Sequence, residues 1–343
     1  MGKEYITGSV ATNAGDVPVV STELSRADRW GDLKATWAIR RMDYTVDPGL
    51  YAVGNPGEDS LVFASANYKL SFDTLRRELK GLDAWTMVLD TNGINVWCAA
   101  GKGTFGTEEM VNRIEQTRLK EVVSHRKIIA PQLGATGVAA HEVRKSSGFS
   151  LVFGPVRASD IHPFLKAGMV ATREMRRVRF NLRDRARLIP AEILQGLKYL
   201  FPVMGLFVIL AGLNRSGYSS QLTLQVGSRS ALNLILAYLA GLALAPALLP
   251  WLPGRSFSSK GMVSGALAFL IALTAGLVGS MPLEAVAWAL IFTSISSFCA
   301  MNLTGASTYT SLSGVRKEMR VAVPLQIAAA AVGLALWIIA RFV

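Results

Sequence analysis

The chain is short of the residues that staple or metallate small domains. It has two cysteines, Cys98 and Cys299, and three histidines in 343 residues. Two cysteines cannot build a disulfide framework, and His125, His141 and His162 show no metal-ligand spacing. The Met1-Gly2 start lacks the apolar run of a secretory signal peptide. Ile6 stands where N-myristoylation needs Ser or Thr. Charge is scarce after residue 190, where Leu, Ala, Gly, Ile and Val dominate, whereas residues 1–190 are mixed and charge-rich. The first half is long enough for one complete domain.

Five apolar stretches, roughly 193–213, 231–252, 262–280, 283–302 and 322–341, each come near the ~20 residues a helix needs to cross a bilayer. Inside lipid the backbone must satisfy its own hydrogen bonds, so these are expected to be transmembrane helices. Lys198 can snorkel to an interface. No acidic residue lies deep in a span, and Glu284 is near an end. That favours an anchor over an ion pathway.

The formal charge of +12 suggests nucleic acid, but its placement argues against it. Seven arginines (Arg173, Arg176, Arg177, Arg179, Arg183, Arg185, Arg187) cluster just before the first apolar stretch, a topology signal that also suits anionic membrane lipid. No aromatic-rich basic strand accompanies them. The cluster predicts a multi-pass protein of the cytoplasmic (inner) membrane, with the first half in the cytoplasm. Loops with Arg255 and Lys260, and with Arg316, Lys317 and Arg320, then fall inside, and five spans put the C-terminus outside. The expected division is a cytoplasmic domain over 1–170, a basic juxtamembrane linker over 171–191 and an all-α transmembrane domain of five helices over 192–343.

Within the first half, strands are expected at Leu61–Ala66, Trp85–Asp90, Lys127–Ala130 and Ser150–Phe153. Helices are expected at Ser71–Lys80, Glu108–Lys120 and Gly137–Ser146, with a last one that Ser159 or Asp160 could cap. Such alternation implies an α/β, Rossmann-like parallel sheet covered on both faces. Residues 35–55 read as extended structure around an Asp47-Pro48-Gly49 turn, and residues 1–30 show no strong pattern. Ligands of open parallel sheets bind beyond the carboxyl ends of the strands. Those ends carry Ser65 and Asn67; then Thr91 leading into residues 95–102; then Gln132, Gly134, Thr136 and Gly137; then Gly154, Pro155 and Arg157. Their small and polar character suits close backbone approach to a ligand and equally suits tight turns.

Three familiar chemistries fit poorly. Gly101-Lys102-Gly103-Thr104-Phe105-Gly106 matches G-x-G-x-x-G but begins about ten residues after Asp90, too far from the strand for a dinucleotide site. Gly103 follows Lys102 where a phosphate-binding P-loop needs Ser or Thr. Asp160-Ile161-His162 starts like the cobalt-ligating Asp-x-His-x-x-Gly motif of one class of corrinoid proteins, but Leu165 occupies the glycine position. Cys98 remains. A buried cysteine is ordinarily a small hydrophobe; this one lies past a strand's carboxyl end between Gly93 and Gly101. Lys102, or a helix N-terminus, could lower its pKa. One thiolate cannot form a zinc or iron–sulfur site alone. It can be the axial ligand of a metal already held in a macrocycle.

The stretch Asn95-Val96-Trp97-Cys98-Ala99-Ala100-Gly101-Lys102 resembles, at all eight positions, the Asn-(Val/Ile)-Trp-Cys-Ala-(Ala/Ser)-Gly-Lys signature of the corrinoid protein of microbial mercury methylation. Pro48-Gly49-Leu50-Tyr51, Ala66-Asn67-Tyr68-Lys69 and Gly154–Asp160 are similar to the corrinoid-binding domain of the corrinoid iron–sulfur protein of the acetyl-CoA pathway. Five transmembrane helices after that domain are also typical of the mercury protein.

The resemblance implies a cobalamin-type cofactor at the strand tips in its base-off form, with Asn95–Lys102 as a cap helix and Cys98 ligating cobalt from the lower face. It implies a methyltransferase that passes a methyl group, as carbanion or radical equivalent, to Hg(II). A thiolate opposite the methyl would push electron density onto the metal. Ala99 and Ala100 would let the cap approach the ring, and Trp97 would pack it to the sheet or simply fill core. The acetyl-CoA relative carries a four-cysteine cluster, for which this chain has no cysteines. The resemblance therefore implies no iron–sulfur cluster here, a ferredoxin-like partner with two [4Fe–4S] clusters as electron donor, and a methyl donor from a methyl-tetrahydrofolate-linked pathway. A corrinoid methyl carrier of one-carbon and acetyl-CoA metabolism, with mercury as a side substrate, is the alternative. A non-enzymatic membrane sensor with a nucleotide-binding domain is a third.

Overall fold

The computed structural model describes residues 4–303 and 312–343. The chain forms two compact units, Met1–Arg179 and Phe180–Val343.

The first unit is built on seven strands: β1 (Ile6–Thr12), β2 (Gly15–Val20), β3 (Gly49–Val53), β4 (Leu61–Ala66), β5 (Ala84–Leu89), β6 (Lys127–Ala130) and β7 (Ser150–Phe153). They lie in the order β1-β2-β3-β5-β4-β6-β7. Four neighbours, β5-β4-β6-β7, are mutually parallel. β5 is buried at every position and β4 at all but its first, as expected of parallel strands covered on both faces. Alternate residues feed two cores. Val62, Ala64, Ala66, Trp85, Met87 and Leu89 face one; Phe63, Ala84 and Val88 face the other.

Helices connect and cover the strands: α1 (Arg26–Thr36), α2 (Lys69–Glu78), α3 (Val96–Lys102), α4 (Thr107–Gln116), α5 (Leu119–Val122), α6 (Ala140–Ser147) and α7 (Ile161–Lys166). Chain order within the parallel block reads 2-1-3-4, so connections leave β4 and β6 in opposite directions. A crevice opens between the carboxyl ends of those two strands.

The expectation of a purely parallel sheet is corrected. β3 runs antiparallel to β5, and β1 and β2 form an antiparallel hairpin on the edge. The hairpin and α1 occupy residues expected to be patternless. Residues 35–55 are only partly extended: α1 runs to Thr36, Arg41–Asp43 is a 3-10 turn, and one strand, β3, follows. The single helix expected over 108–120 is split into α4 and α5 by Arg118, which takes a left-handed conformation (φ 48°). Asp160 stands at the N-cap of α7 without a side-chain capping bond.

In the second unit five helical segments are long and apolar enough to cross a membrane: Leu182–Leu210, Ser220–Leu248, Phe257–Thr274, Pro282–Asn302 and Gly314–Ile339. The second begins at 220 rather than 231, because Ser219 accepts a hydrogen bond from the Leu222 backbone N–H and caps it. A two-stranded hairpin, Leu213–Asn214 with Gly217–Tyr218, makes the unit not strictly all-α. Some polar groups inside it are paired: Gln326 Nε2 donates to Ser297 Oγ at 2.7 Å, and Glu284 meets Arg341 at 2.5 Å, whereas Gln326 Oε1 and Asn233 Oδ1 find no partner among the described residues. Cys299 is buried, as its apolar surroundings suggest.

Candidate functional site

The crevice at the β4/β6 divergence is a cleft of about 430 Å³, within the ~300–1,000 Å³ of ordinary ligand sites. Its floor is Phe63, Ala64 and Ser65 of β4 and Ile129 and Ala130 of β6; Gly154, Pro155 and Val156 form one side, and α2 residues Leu70, Ser71 and Thr74 another. Asn95, Val96 and Trp97 close it from the start of α3. The wall is largely apolar, and Arg41 is its one charged residue among those described. A larger, open depression of about 770 Å³ lies by Gly57, Glu58 and Arg126, at the amino ends of the parallel strands. Ligands of such sheets bind at the carboxyl ends, so the cleft is the candidate site.

The approach to α3 is tightly organised. After β5 the chain turns through Asn92 and Gly93, both at positive φ (54° and 71°). A Cβ on Gly93 would lie 2.8 Å from Thr45 Cγ2, so glycine is required on both counts. Asn67, just past β4, holds this turn: its Oδ1 accepts from the Thr91 N–H (3.0 Å), the Thr91 hydroxyl (2.8 Å) and the Gly93 N–H (3.0 Å). Asn95 then caps α3, its Oδ1 accepting from the Cys98 backbone N–H at 2.9 Å. Cys98 sits in the first turn and is half-buried.

The expected site residues fall into three groups. Asn95, Val96, Trp97, Ser65, Gly154 and Pro155 line the cleft. Cys98 follows Trp97 on the same short helix, half-buried and next to the wall, but does not itself line the cleft. The others do not line it. Ala99 and Ala100 turn inward and are 0% and 6% exposed in the core beneath α3, so they seat the helix on the domain. Gly134 and Gly137 are packing positions: a Cβ on Gly134 would lie 2.5 Å from the Phe105 ring, and one on Gly137 would lie 2.4 Å from Phe105 O and 2.8 Å from Ala100 Cα. Gln132 accepts a hydrogen bond from Arg176 at 3.2 Å. Thr136, Gly101 and Lys102 are exposed, and Arg157 is half-buried outside the cleft wall. Gly103 ends α3 at φ 83° and Gly106 precedes α4, so the G-x-G-x-x-G match links two helices.

Two cleft residues were not singled out from sequence as site residues. Tyr68 is 2% exposed, and its hydroxyl finds no hydrogen-bond partner among the described residues. The Arg41 guanidinium lies over its ring at 5.2 Å. Burial holds the Tyr68 phenol above its ordinary pKa. The contact joins segments far apart in sequence, so no local pattern announces it.

Behind this wall lies a buried ionic cluster joining α1 to α2. Lys69 meets Asp28 (2.6 Å) and Asp73 (2.5 Å), and Arg76 meets Asp28 (2.8 Å) and Asp73 (2.7 Å). Burial pushes the Asp28 carboxyl up, but Lys69, the Ser25 N–H and Arg76 outweigh it and leave it at about 2. The Tyr44 hydroxyl sits among Asp28 O, Asp32 Oδ1 and Asp73 Oδ2 at 3.1–3.2 Å. It has one proton for three acceptors. Burial and the Asp73 charge accordingly raise Asp32 to about 6.

A Rossmann-like sheet with a capped switch-point cleft defines a broad class of ligand-binding domain. Known proteins narrow it. Residues 37–165 match the family model for CdhD, the CO dehydrogenase/acetyl-CoA synthase delta subunit. The chain is also similar to gamma subunits of the acetyl-CoA decarbonylase/synthase complex. That of Archaeoglobus fulgidus is 31% identical over 128 residues, covering 37% of this chain and 27% of the relative. That of Methanopyrus kandleri is 30% identical over 181 residues (50% and 38%), and that of Methanocaldococcus jannaschii 32% over 148 (40% and 30%). The chain thus spans only about a third of these relatives' length.

Proposed function

We propose that the first unit binds a corrinoid at the switch-point cleft, that the Cys98 thiolate is the lower ligand to its cobalt, and that the protein methylates Hg(II) to methylmercury. The observation that carries this reading is the position of Asn95–Lys102. The eight-residue signature forms a capped helix whose first residues close the cleft and whose single thiol lies in its first turn.

The residues fit such a cofactor. Among those described, no three His, Cys, Asp or Glu side chains are grouped to hold a metal by themselves. A lone soft thiolate suits a metal whose other ligands come from a macrocycle. Apolar walls suit a large organic ligand, and Arg41 and the unpartnered Tyr68 hydroxyl are available to its polar periphery. The corrinoid, when bound, would supply methyl transfer, and the Cys98 thiolate would help to hold and tune it. The protein's part is to hold that sulfur in place: Asn67 fixes the turn, Asn95 the first helical turn, and Ala99 and Ala100 the seat on the core.

The wider reading is a cytoplasmic-membrane protein held by five helices, first unit in the cytoplasm, reduced by a ferredoxin-like protein with two [4Fe–4S] clusters and methylated from a methyl-tetrahydrofolate-linked pathway. A second reading, a corrinoid methyl carrier in acetyl-CoA metabolism, draws direct support from the relatives' names, all of which belong to the acetyl-CoA decarbonylase/synthase complex. Mercury rests on the signature alone.

Assaying the reduced, methyl-loaded full chain separates the two. Methylmercury formation that disappears in Cys98→Ala supports the first. Methyl transfer to an acetyl-CoA synthase partner, measured with no mercury present, supports the second, in which Hg(II) is a side substrate.

A further inference from the structure

Helix α1 is inverted. Its inner face carries Asp28 and Asp32, held by the buried Lys69, Arg76 and Tyr44, while its outer face carries the large apolar residues. Trp30 is 59% exposed, Leu33 39% and Trp37 40%, and the stripe continues into Ile39 (43%) and Met42 (59%). The spacing of Trp30, Leu33 and Trp37 puts them on one side of the helix. Exposed apolar surface of this kind marks an interaction site.

Its flanks are cationic. Arg26 and Arg29 are exposed with no carboxylate partner among the described residues, and Lys34 lies over the Trp30 ring at 5.3 Å. The carboxylates of α1 are turned inward, so its outer face is apolar and positive, and the exposed Asp43 beside Met42 is paired with Arg40 at 3.1 Å. Tryptophan with interleaved arginine and lysine is the composition of helices that lie in a bilayer interface. An anionic leaflet attracts basic residues held near its surface. The same chain continues through the arginine cluster into helices apolar enough to span a membrane. Such a tether keeps the local concentration of lipid high.

We propose that the Trp30–Leu33–Trp37 face, with Ile39 and Met42, rests on the anionic surface of the membrane that the second unit spans. This rests on the membrane reading above. The inward carboxylates orient the face by anchoring α1 to α2 through charge, leaving its apolar side for lipid.

The test uses the full chain in lipid nanodiscs, zwitterionic or one-third anionic, with lipids brominated near the top of the acyl chains. Subtracting the fluorescence of a Trp30→Phe/Trp37→Phe variant from that of wild type isolates these two tryptophans from the other five. The expected result is at least a twofold drop of this difference signal in anionic brominated discs, with a much smaller drop in zwitterionic ones. In Arg26→Gln/Arg29→Gln, whose exposed side chains leave the fold unaffected, the anionic preference is lost. An unquenched difference signal in both discs overturns the proposal. So does one that responds only to an added acidic protein, which would make the face a protein-docking surface. A chain that stays soluble without lipid or detergent fails the membrane reading itself, and that outcome is scored before any quenching is measured.

Discussion

The Asn95 side chain accepts a hydrogen bond from the Cys98 backbone N–H at 2.9 Å, so the residue that starts helix α3 also fixes the backbone that carries the thiol. An N-cap side chain of this kind stabilises a helix by about 0.5–2 kcal/mol. Replacing Asn95 by Ala is expected to speed hydrogen exchange of the α3 amides by roughly the corresponding factor of ~2–30 and to reduce methyl transfer. Asn95→Asp, which keeps an acceptor, should restore slow exchange. Unchanged exchange in Asn95→Ala would remove the cap from the account.

Cys98 is half-buried, and its N–H bond to Asn95 does not depend on its side chain. Cys98→Ala should therefore cost little stability, within about 1 kcal/mol for a partly buried small side chain, while abolishing methylmercury formation. Thermal unfolding and a methylmercury assay on the same preparation check the two halves together.

Asn67 satisfies three donors of the turn before α3, and Thr91 is wholly buried. Asn67→Ala leaves the Thr91 and Gly93 N–H groups without that acceptor, while the Thr91 hydroxyl keeps Ile94 O at 2.7 Å, at about 1–3 kcal/mol for each N–H that water cannot reach. The expected outcome is a loss of at least about 2 kcal/mol in unfolding free energy with weakened corrinoid retention. Gly137→Ala attacks the same helix from beneath, because its Cβ would meet Ala100 Cα at 2.8 Å. It should cost about 1–3 kcal/mol and likewise lower the cofactor content of the purified protein.

The ionic cluster predicts a pH profile. Asp28 has its pKa lowered from 3.8 to about 2, so its contribution is present above 3.8 and is lost as pH falls through about 2. Asp32 has the opposite sign: raised from 3.8 to about 6, it contributes stability below 3.8 that is lost as pH rises through about 6. Between those limits the Asp32 contribution to stability should decline with pH, and Asp32→Asn should flatten that decline. Asp28→Asn breaks a buried network with Lys69 and Arg76 and should cost about 3–5 kcal/mol. Unfolding free energies of the variants across pH 3–8 measure both effects.

Much of the parallel block was legible because each strand is a short apolar run closed by a polar or small residue. Leu61–Ala66, Lys127–Ala130 and Ser150–Phe153 have the bounds expected of them. The antiparallel sense of β3 was not, since a five-residue strand carries no local mark of its direction. Helix α1 escaped because its pattern is reversed: Asp28, Gly31 and Ala35 are buried while Trp30, Leu33 and Trp37 are exposed. At the site, the residues alone left a loop or a short helix open around Cys98; the helix was expected only from the resemblance of Asn95–Lys102, and it is present as Val96–Lys102. The part played by Asn67 was not, because its partners lie 24–26 residues away. The glycines at 134 and 137 looked like ligand contacts, yet their absent side chains make room for Phe105 and Ala100.

The central claim is a bond between the Cys98 sulfur and a corrinoid cobalt. The most direct test is the visible absorption spectrum of the full chain, purified without oxygen and compared with Cys98→Ala after both are loaded with the same corrinoid. The account predicts that wild type holds the corrinoid and shows a lower-ligand band pattern that Cys98→Ala lacks while still retaining the cofactor. Identical spectra from the two proteins, or no corrinoid bound by wild type, would contradict it.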